Sequence, residues 1–95
     1  MPKAIWNGVV VAESDKTKMI EGNHYFPPDS INWDYFEKTE KNTTCFWKGI
    51  ASYYTLKRDG SSVPNAAWTY EDPAVAAAAI KDHIAFYRSQ VKIED

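Results

Sequence analysis

The sequence predicts a mainly β domain with one short α-helix near its C-terminus, and three observations carry that prediction. The dipeptides Asn7-Gly8 and Asp59-Gly60 each sit between runs rich in β-branched and aromatic residues, the pattern of a two-residue hairpin. Residues Ile50 to Lys57 alternate Ile50, Ser52, Tyr54, Leu56 on one side with Ala51, Tyr53, Thr55, Lys57 on the other, which is strand periodicity. The one helix-like composition in the second half is "AVAAAAI".

In chain order, "AIW" and "VVVAES" flank Asn7-Gly8 as a first hairpin. "TKMI" and "HYF" flank Glu21-Gly22-Asn23 as a second, with glycine at the positive-φ position. Pro27-Pro28 ends that strand, because proline cannot donate to a ladder. "DSINWDYFEKT" is expected to form a short helix capped by Asp29 or Ser30, burying Ile31, Tyr35 and Phe36. "EKTEKNTT" is polar throughout and reads as a surface loop. After the strand at Ile50–Lys57, Asp59-Gly60 turns the chain and "SSVPNAAWTY" returns, with Pro64 marking an edge or a bulge. Asp72 then caps a helix that has Pro73 at its first position, where no hydrogen bond is lost. "AFYRSQVKIE" closes the chain as one or two short strands. No repeat or linker interrupts the sequence, so residues 1–95 are expected to form a single domain.

Composition narrows the function classes. A hydrophobic fraction of 44%, with 15% aromatic residues, supplies a core without disulfides. The net charge is -2 and basic residues alternate with acidic ones, so no nucleic-acid partner is expected. The longest apolar run is too short to span a bilayer, and no apolar leader follows Met1; no membrane partner and a cytoplasmic location are expected. Cys45, His24 and His83 are the only soft metal ligands and are not spaced as pairs, so neither a metal nor any other cofactor is expected. The glycines stand singly at turns, and no phosphate-cradling loop is formed.

The stretch "TTCFWKGIASYY" concentrates the remaining chemistry. Cys45 is either a small buried hydrophobe or a nucleophile whose thiolate Lys48 would stabilise. Lys48, wedged between Trp47 and Gly49, either reaches past apolar neighbours to water or binds an anionic or polar ligand group. Glu13 and Glu21 are carboxylates capable of acid–base work if they approach each other. Alternation places Tyr53 and Tyr54 on opposite faces of their strand, while Trp68 and Tyr70 share a face on the returning one. A cluster of Trp47, one of these two tyrosines, Trp68 and Tyr70 would make a platform for a planar or sugar ligand.

"EGNHYFP", "TTCFWKGIASYY", "AAWTYEDP" and "IAFY", in this order, resemble family 427 of the domains of unknown function across nearly the whole chain. Phe46 stands where that family typically has proline, and His83 where glycine is common. The resemblance implies β-tent-like antiparallel sheets similar to the cereblon ligand-binding domain and methionine sulfoxide reductase B. It also implies a pocket between the sheets lined by Glu21, Tyr25, Cys45, Lys48, Tyr53, Trp68 and Tyr70. Relatives of that architecture hold zinc through cysteine pairs, which this chain lacks. The family's nucleotidyltransferase-like label requires carboxylates for Mg²⁺ and a phosphate-binding loop, and neither is recognisable here.

The functional expectation is therefore a small-molecule-binding domain with an aromatic-lined pocket near Lys48. One alternative is an enzyme using Cys45 or Lys48 with Glu21; another is a homodimeric interaction module that buries exposed rings.

Overall fold

Every two-residue turn in the chain closes on a pair of positive-φ residues, and these turns set the topology. In a computed structural model, which describes all 95 residues, β1 (Lys3–Trp6) and β2 (Val9–Glu13) are joined by Asn7 (φ 50°) and Gly8 (φ 75°). Strands β3 (Lys18–Ile20) and β4 (Asn23–Tyr25) are joined by Glu21 (φ 54°) and Gly22 (φ 80°). The third such hairpin links β6 (Gly49–Arg58) to β7 (Ser61–Thr69) through Asp59 (φ 47°) and Gly60 (φ 83°). This is the type I′ geometry, whose twist matches that of the flanking strands. Strands β5 (Phe36–Cys45), β8 (Ile84–Phe86) and β9 (Lys92–Glu94) complete the set.

The strands form three antiparallel sheets, in the orders β2-β1-β9, β3-β4 and β5-β6-β7-β8, so the protein is mainly β. A pair of backbone hydrogen bonds between Phe26 and Ile84, both 2.8 Å, ties the β3–β4 hairpin to the free edge of β8. Two cores result. The larger lies between the four-stranded and three-stranded sheets and contains Trp6, Val11, Phe26, Leu56, Ile84 and Phe86. The smaller lies on the other face of β6 and gathers Tyr25, Ala51, Tyr53, Tyr70, Ala77 and Ile80. No helix is long and apolar enough to cross a membrane.

Three expectations are corrected. "EKTEKNTT" is not a loop but most of β5, the outer strand of the four-stranded sheet, interrupted by an irregularity between Lys38 and Asn42. An edge strand exposed on both faces has no apolar alternation to reveal it, and its charges discourage pairing with other chains. The stretch after Pro28 forms two 3-10 turns, Pro28–Ser30 and Trp33–Tyr35, rather than a helix. Its backbone is drawn into the sheet instead: Ile31 bridges Ala12, and the Asn32 N–H donates to the Val11 carbonyl at 2.9 Å. The alanine run is a 3-10 segment, Val75–Ile80, kinked at Ala77, and Asp72 makes no capping hydrogen bond there.

The ends of the alanine segment explain its geometry. The Ala74 N–H donates to the Lys48 carbonyl at 2.9 Å, and the Asp82 N–H donates to the Tyr70 carbonyl at 3.0 Å. The segment must span the distance between these two anchors. A 3-10 winding rises about 2.0 Å per residue against about 1.5 Å for an α-helix, so it reaches further with the same residues. Pro64 falls in a bulge, where Pro64, Asn65 and Ala66 face Thr55 alone between the pairs Leu56–Val63 and Tyr54–Ala67. Strand β8 pairs only with Ala67–Thr69, so the missing proline N–H leaves no ladder bond unmade.

Gly49 is the position with the least tolerance. Its φ is +110°, and a Cβ there would stand 3.3 Å from the Ala74 nitrogen and 3.5 Å from the Asp72 carbonyl oxygen, both backbone atoms. Gly49→Ala should lower stability by about 1–3 kcal/mol through backbone strain and loss of the Ala74–Lys48 contact. Urea denaturation measures this, and an unchanged midpoint would show that the turn does not depend on this approach.

Candidate functional site

The turn between β5 and β6 buries a lysine. Because Gly49 brings this turn against the backbone of Asp72–Ala74, the Lys48 side chain is directed inward and is only 6% exposed. Its ammonium lies 5.3 Å from the Trp47 ring centroid and 5.6 Å from that of Tyr70, within reach of cation–π attraction. Its one hydrogen-bonded partner is the Glu21 carboxylate, with which it forms an ion pair. Glu21 occupies the first position of the β3–β4 turn, and its side chain is 54% exposed.

Rings fill the space behind the ammonium. The Trp68 indole N–H donates to the Tyr25 hydroxyl at 3.1 Å, and the two rings meet edge to face at 6.3 Å. Tyr53 is the cross-strand partner of Trp68; its hydroxyl shares a 2.8 Å hydrogen bond with Thr43 Oγ1. Tyr87 stacks on Tyr53 at 6.5 Å and packs against Trp68 at 4.7 Å. Cys45 and Trp47 close the cluster from the β5 end.

Charge and burial shift the titrations of these groups in opposite directions. The hydrogen bond from Lys48 holds the Glu21 carboxyl below its ordinary value of 4.5. Burial works to lower the Lys48 pKa, but the Glu21 hydrogen bond, assisted by Tyr25 and Tyr70, outweighs it and raises the ammonium above 10.5. Burial raises the Tyr70 phenol. The neighbouring Tyr53 phenol, together with burial, pushes Tyr87 up to about 12.

All seven residues expected around a pocket (Glu21, Tyr25, Cys45, Lys48, Tyr53, Trp68 and Tyr70) come together here. The pocket itself is closed. Tyr25, Tyr53 and Tyr70 are at most 5% exposed, and none of the three surface concavities reaches any of the seven. The rings pack on one another because a small domain must cover its sheet with the large side chains it has. Glu13 stays apart from Glu21: it faces Lys3 at 3.9 Å in the three-stranded sheet. Neither histidine bonds to Cys45; His24 bonds to Thr17 and Asp95, and His83 to the Lys81 carbonyl. No three His, Cys, Asp or Glu side chains converge as metal ligands. Tyr87 and Thr43 belong to the cluster but escaped sequence reasoning, since each follows a segment whose strand or loop character left its facing undefined.

Linkage gives the pH dependence. The depressed Glu21 value contributes stability that is complete above 4.5 and lost as pH falls through the lower folded value. The raised Lys48 and Tyr87 values contribute stability complete below 10.5 and 10.0, lost as pH rises through the folded values. Stability should therefore form a plateau from about pH 5 to 9 that falls away on both sides. Glu21→Gln should lower the plateau and make the acid limb shallower. Lys48→Met, which exchanges the ammonium for an apolar chain, should keep neutral stability within about 1 kcal/mol of the parent or above it. Denaturation midpoints across pH measure both; an acid limb equally steep in Glu21→Gln would remove the carboxylate from this account.

A comparison with the curated proteins finds no match. A family model described as Domain of unknown function (DUF427) matches residues 2–95 and so takes in every strand from β1 to β9. With both members of the Lys48–Glu21 pair inside that match, the chain belongs to the DUF427 family.

Proposed function

We propose that this domain binds a small ligand carrying an anionic group and a planar body, with Lys48 taking the charge and the half-buried Trp47 ring beside it taking the plane. The observation that carries this reading is a buried ammonium whose only hydrogen-bonded partner is a half-exposed carboxylate on a hairpin turn. Glu21 then occupies the place of the ligand's anion. A rotation of its side chain into solvent uncovers the ammonium without moving any strand, and water compensates the freed carboxylate. The partly exposed Trp47 ring beside the ammonium favours a flat, delocalised anion over a compact, strongly hydrated one. The binding arrangement needs Lys48 charged, which its raised pKa ensures at neutral pH.

Ligand-observed NMR with benzoate as the probe, extended to a panel of small organic anions, tests the proposal. Glu21→Gln should bind benzoate more tightly than the parent, because the competing carboxylate is gone. Lys48→Met should bind about tenfold more weakly or worse, the equivalent of about 1.4 kcal/mol. Equal binding by the parent and both variants, or by no protein at all across the panel, would refute it.

A second reading, a module that pairs with another copy of itself, rests on two other side chains. Phe46 is 97% exposed and Val75 is 94% exposed, and they flank the contact between Gly49 and Ala74. Burying such apolar surface on a partner is favourable. Sedimentation equilibrium should then show a doubled mass that Phe46→Ser returns to a monomer; a monomer at every concentration discards this reading.

A further inference from the structure

A second cation stands in a different setting from Lys48. Where the β3–β4 hairpin, the end of β8 and strand β9 meet, the chain forms a cavity of about 190 Å³ that is open to solvent on one side. Met19, Phe86 and Ile93 supply its apolar wall. Arg88 also lines it and takes part in no ion pair of the structure. The acidic group at the cavity rim is Asp95, whose side chain is 86% exposed and is hydrogen-bonded by His24. A carboxylate can only accept, so the His24 Nε2–H donates to Asp95 Oδ1 at 2.8 Å. That leaves Nδ1 as the acceptor of the Thr17 hydroxyl, also at 2.8 Å. Thr17 thus orients the ring, and the ring orients the carboxylate, which keeps its second oxygen free.

From this we infer that the cavity is a binding site for a small zwitterion, an α-amino acid with an apolar side chain. The ligand's carboxylate pairs with the Arg88 guanidinium, whose planar fork matches it in a bidentate manner. Its ammonium donates to the free oxygen of Asp95. Its side chain lies against Met19, Phe86 and Ile93. Size supports this class over larger ones. Pockets for drug-sized ligands run to roughly 300–1,000 Å³, so this cavity is too small for a nucleotide or a dinucleotide. Charge supports it over a simple anion, because a ligand with negative charge alone would face the Asp95 carboxylate with no donor for its free oxygen. The site is separate from the one at Lys48, and neither reading requires the other.

The test is a two-dimensional ¹H–¹⁵N titration of the full chain with L-leucine, isocaproate and isoamylamine. The last two are leucine without its ammonium and leucine without its carboxylate. Leucine should shift the signals of His24, Arg88 and Ile93 while those of Trp47, Lys48 and Tyr70 stay in place. Each truncated compound should bind about tenfold more weakly, as loss of one charge-assisted contact requires. Arg88→Gln, a change at an exposed position that leaves the spectrum dispersed, should weaken leucine by a similar factor. Asp95→Asn should reduce the preference for leucine over isocaproate. The inference is overturned if leucine moves no signal, if movement appears at Lys48 and not at Arg88, if isoamylamine matches leucine, or if Arg88→Gln titrates like the parent.

Discussion

Adjacent side chains of one strand feed two separate cores, and the rest of the molecule is arranged around that constraint. Tyr53 and Tyr54 point to opposite faces of β6, the first into the smaller core and the second against the larger one. Each face therefore needs a cover. The three-stranded sheet covers one with Trp6 and Val11, and the β3–β4 hairpin, Tyr70 and the alanine segment cover the other with small and aromatic groups. A chain of 95 residues has little material for two layers of cover. Alanines are useful for that reason: Ala51, Ala77 and Ala85 are almost fully buried and let neighbouring backbones approach, while the rings fill the remaining volume.

The constraint also explains which parts of the structure were legible in the sequence. Hairpins at Asn7-Gly8, Glu21-Gly22 and Asp59-Gly60 were readable because positive φ is a local requirement that few residues meet. Strand β6 was readable because both of its faces are buried and its residues alternate in kind. Strand β5 was not, since an edge held by backbone hydrogen bonds needs no apolar side chains. The alanine run misled because helix propensity is local, whereas its geometry is set by contacts to Lys48 and Tyr70 that are distant in sequence. The residues that gather at Lys48 could be nominated from "CFWKG" and the aromatic strands. That their rings would pack on one another, leaving no open hollow, depends on side-chain volumes summed over the whole core.

Glu21 shows how a local irregularity marks a tertiary interaction. Five residues other than glycine adopt positive φ: Asn7, Glu21, Asp59, Asn65 and Asp82. Asn and Asp tolerate this region because their short side chains bond locally; a glutamate gains nothing comparable, and the conformation costs it about 1–2 kcal/mol. The turn alone would favour asparagine there. What offsets the strain is the carboxylate's reach to Lys48, which a shorter side chain would not match. A residue that breaks its local rule and is compensated by a distant charge is the kind of departure that accompanies a site rather than a scaffold.

The two cations near the two-stranded sheet differ in what a ligand would have to do to reach them. At Lys48 the anion position is already filled by Glu21, so binding as proposed would be an exchange in which the ammonium never stands bare in a low-dielectric setting. Selectivity there would come from the Trp47 ring, because the charge interaction is nearly the same before and after. At Arg88 nothing is displaced, the guanidinium is exposed beforehand, and water screens much of what it offers. Discrimination at that site would rest instead on meeting both charges at once beside the small apolar wall. The hairpin turn between β3 and β4 contributes to each, sending Glu21 toward Lys48 while Gly22, Asn23 and His24 line the Arg88 cavity.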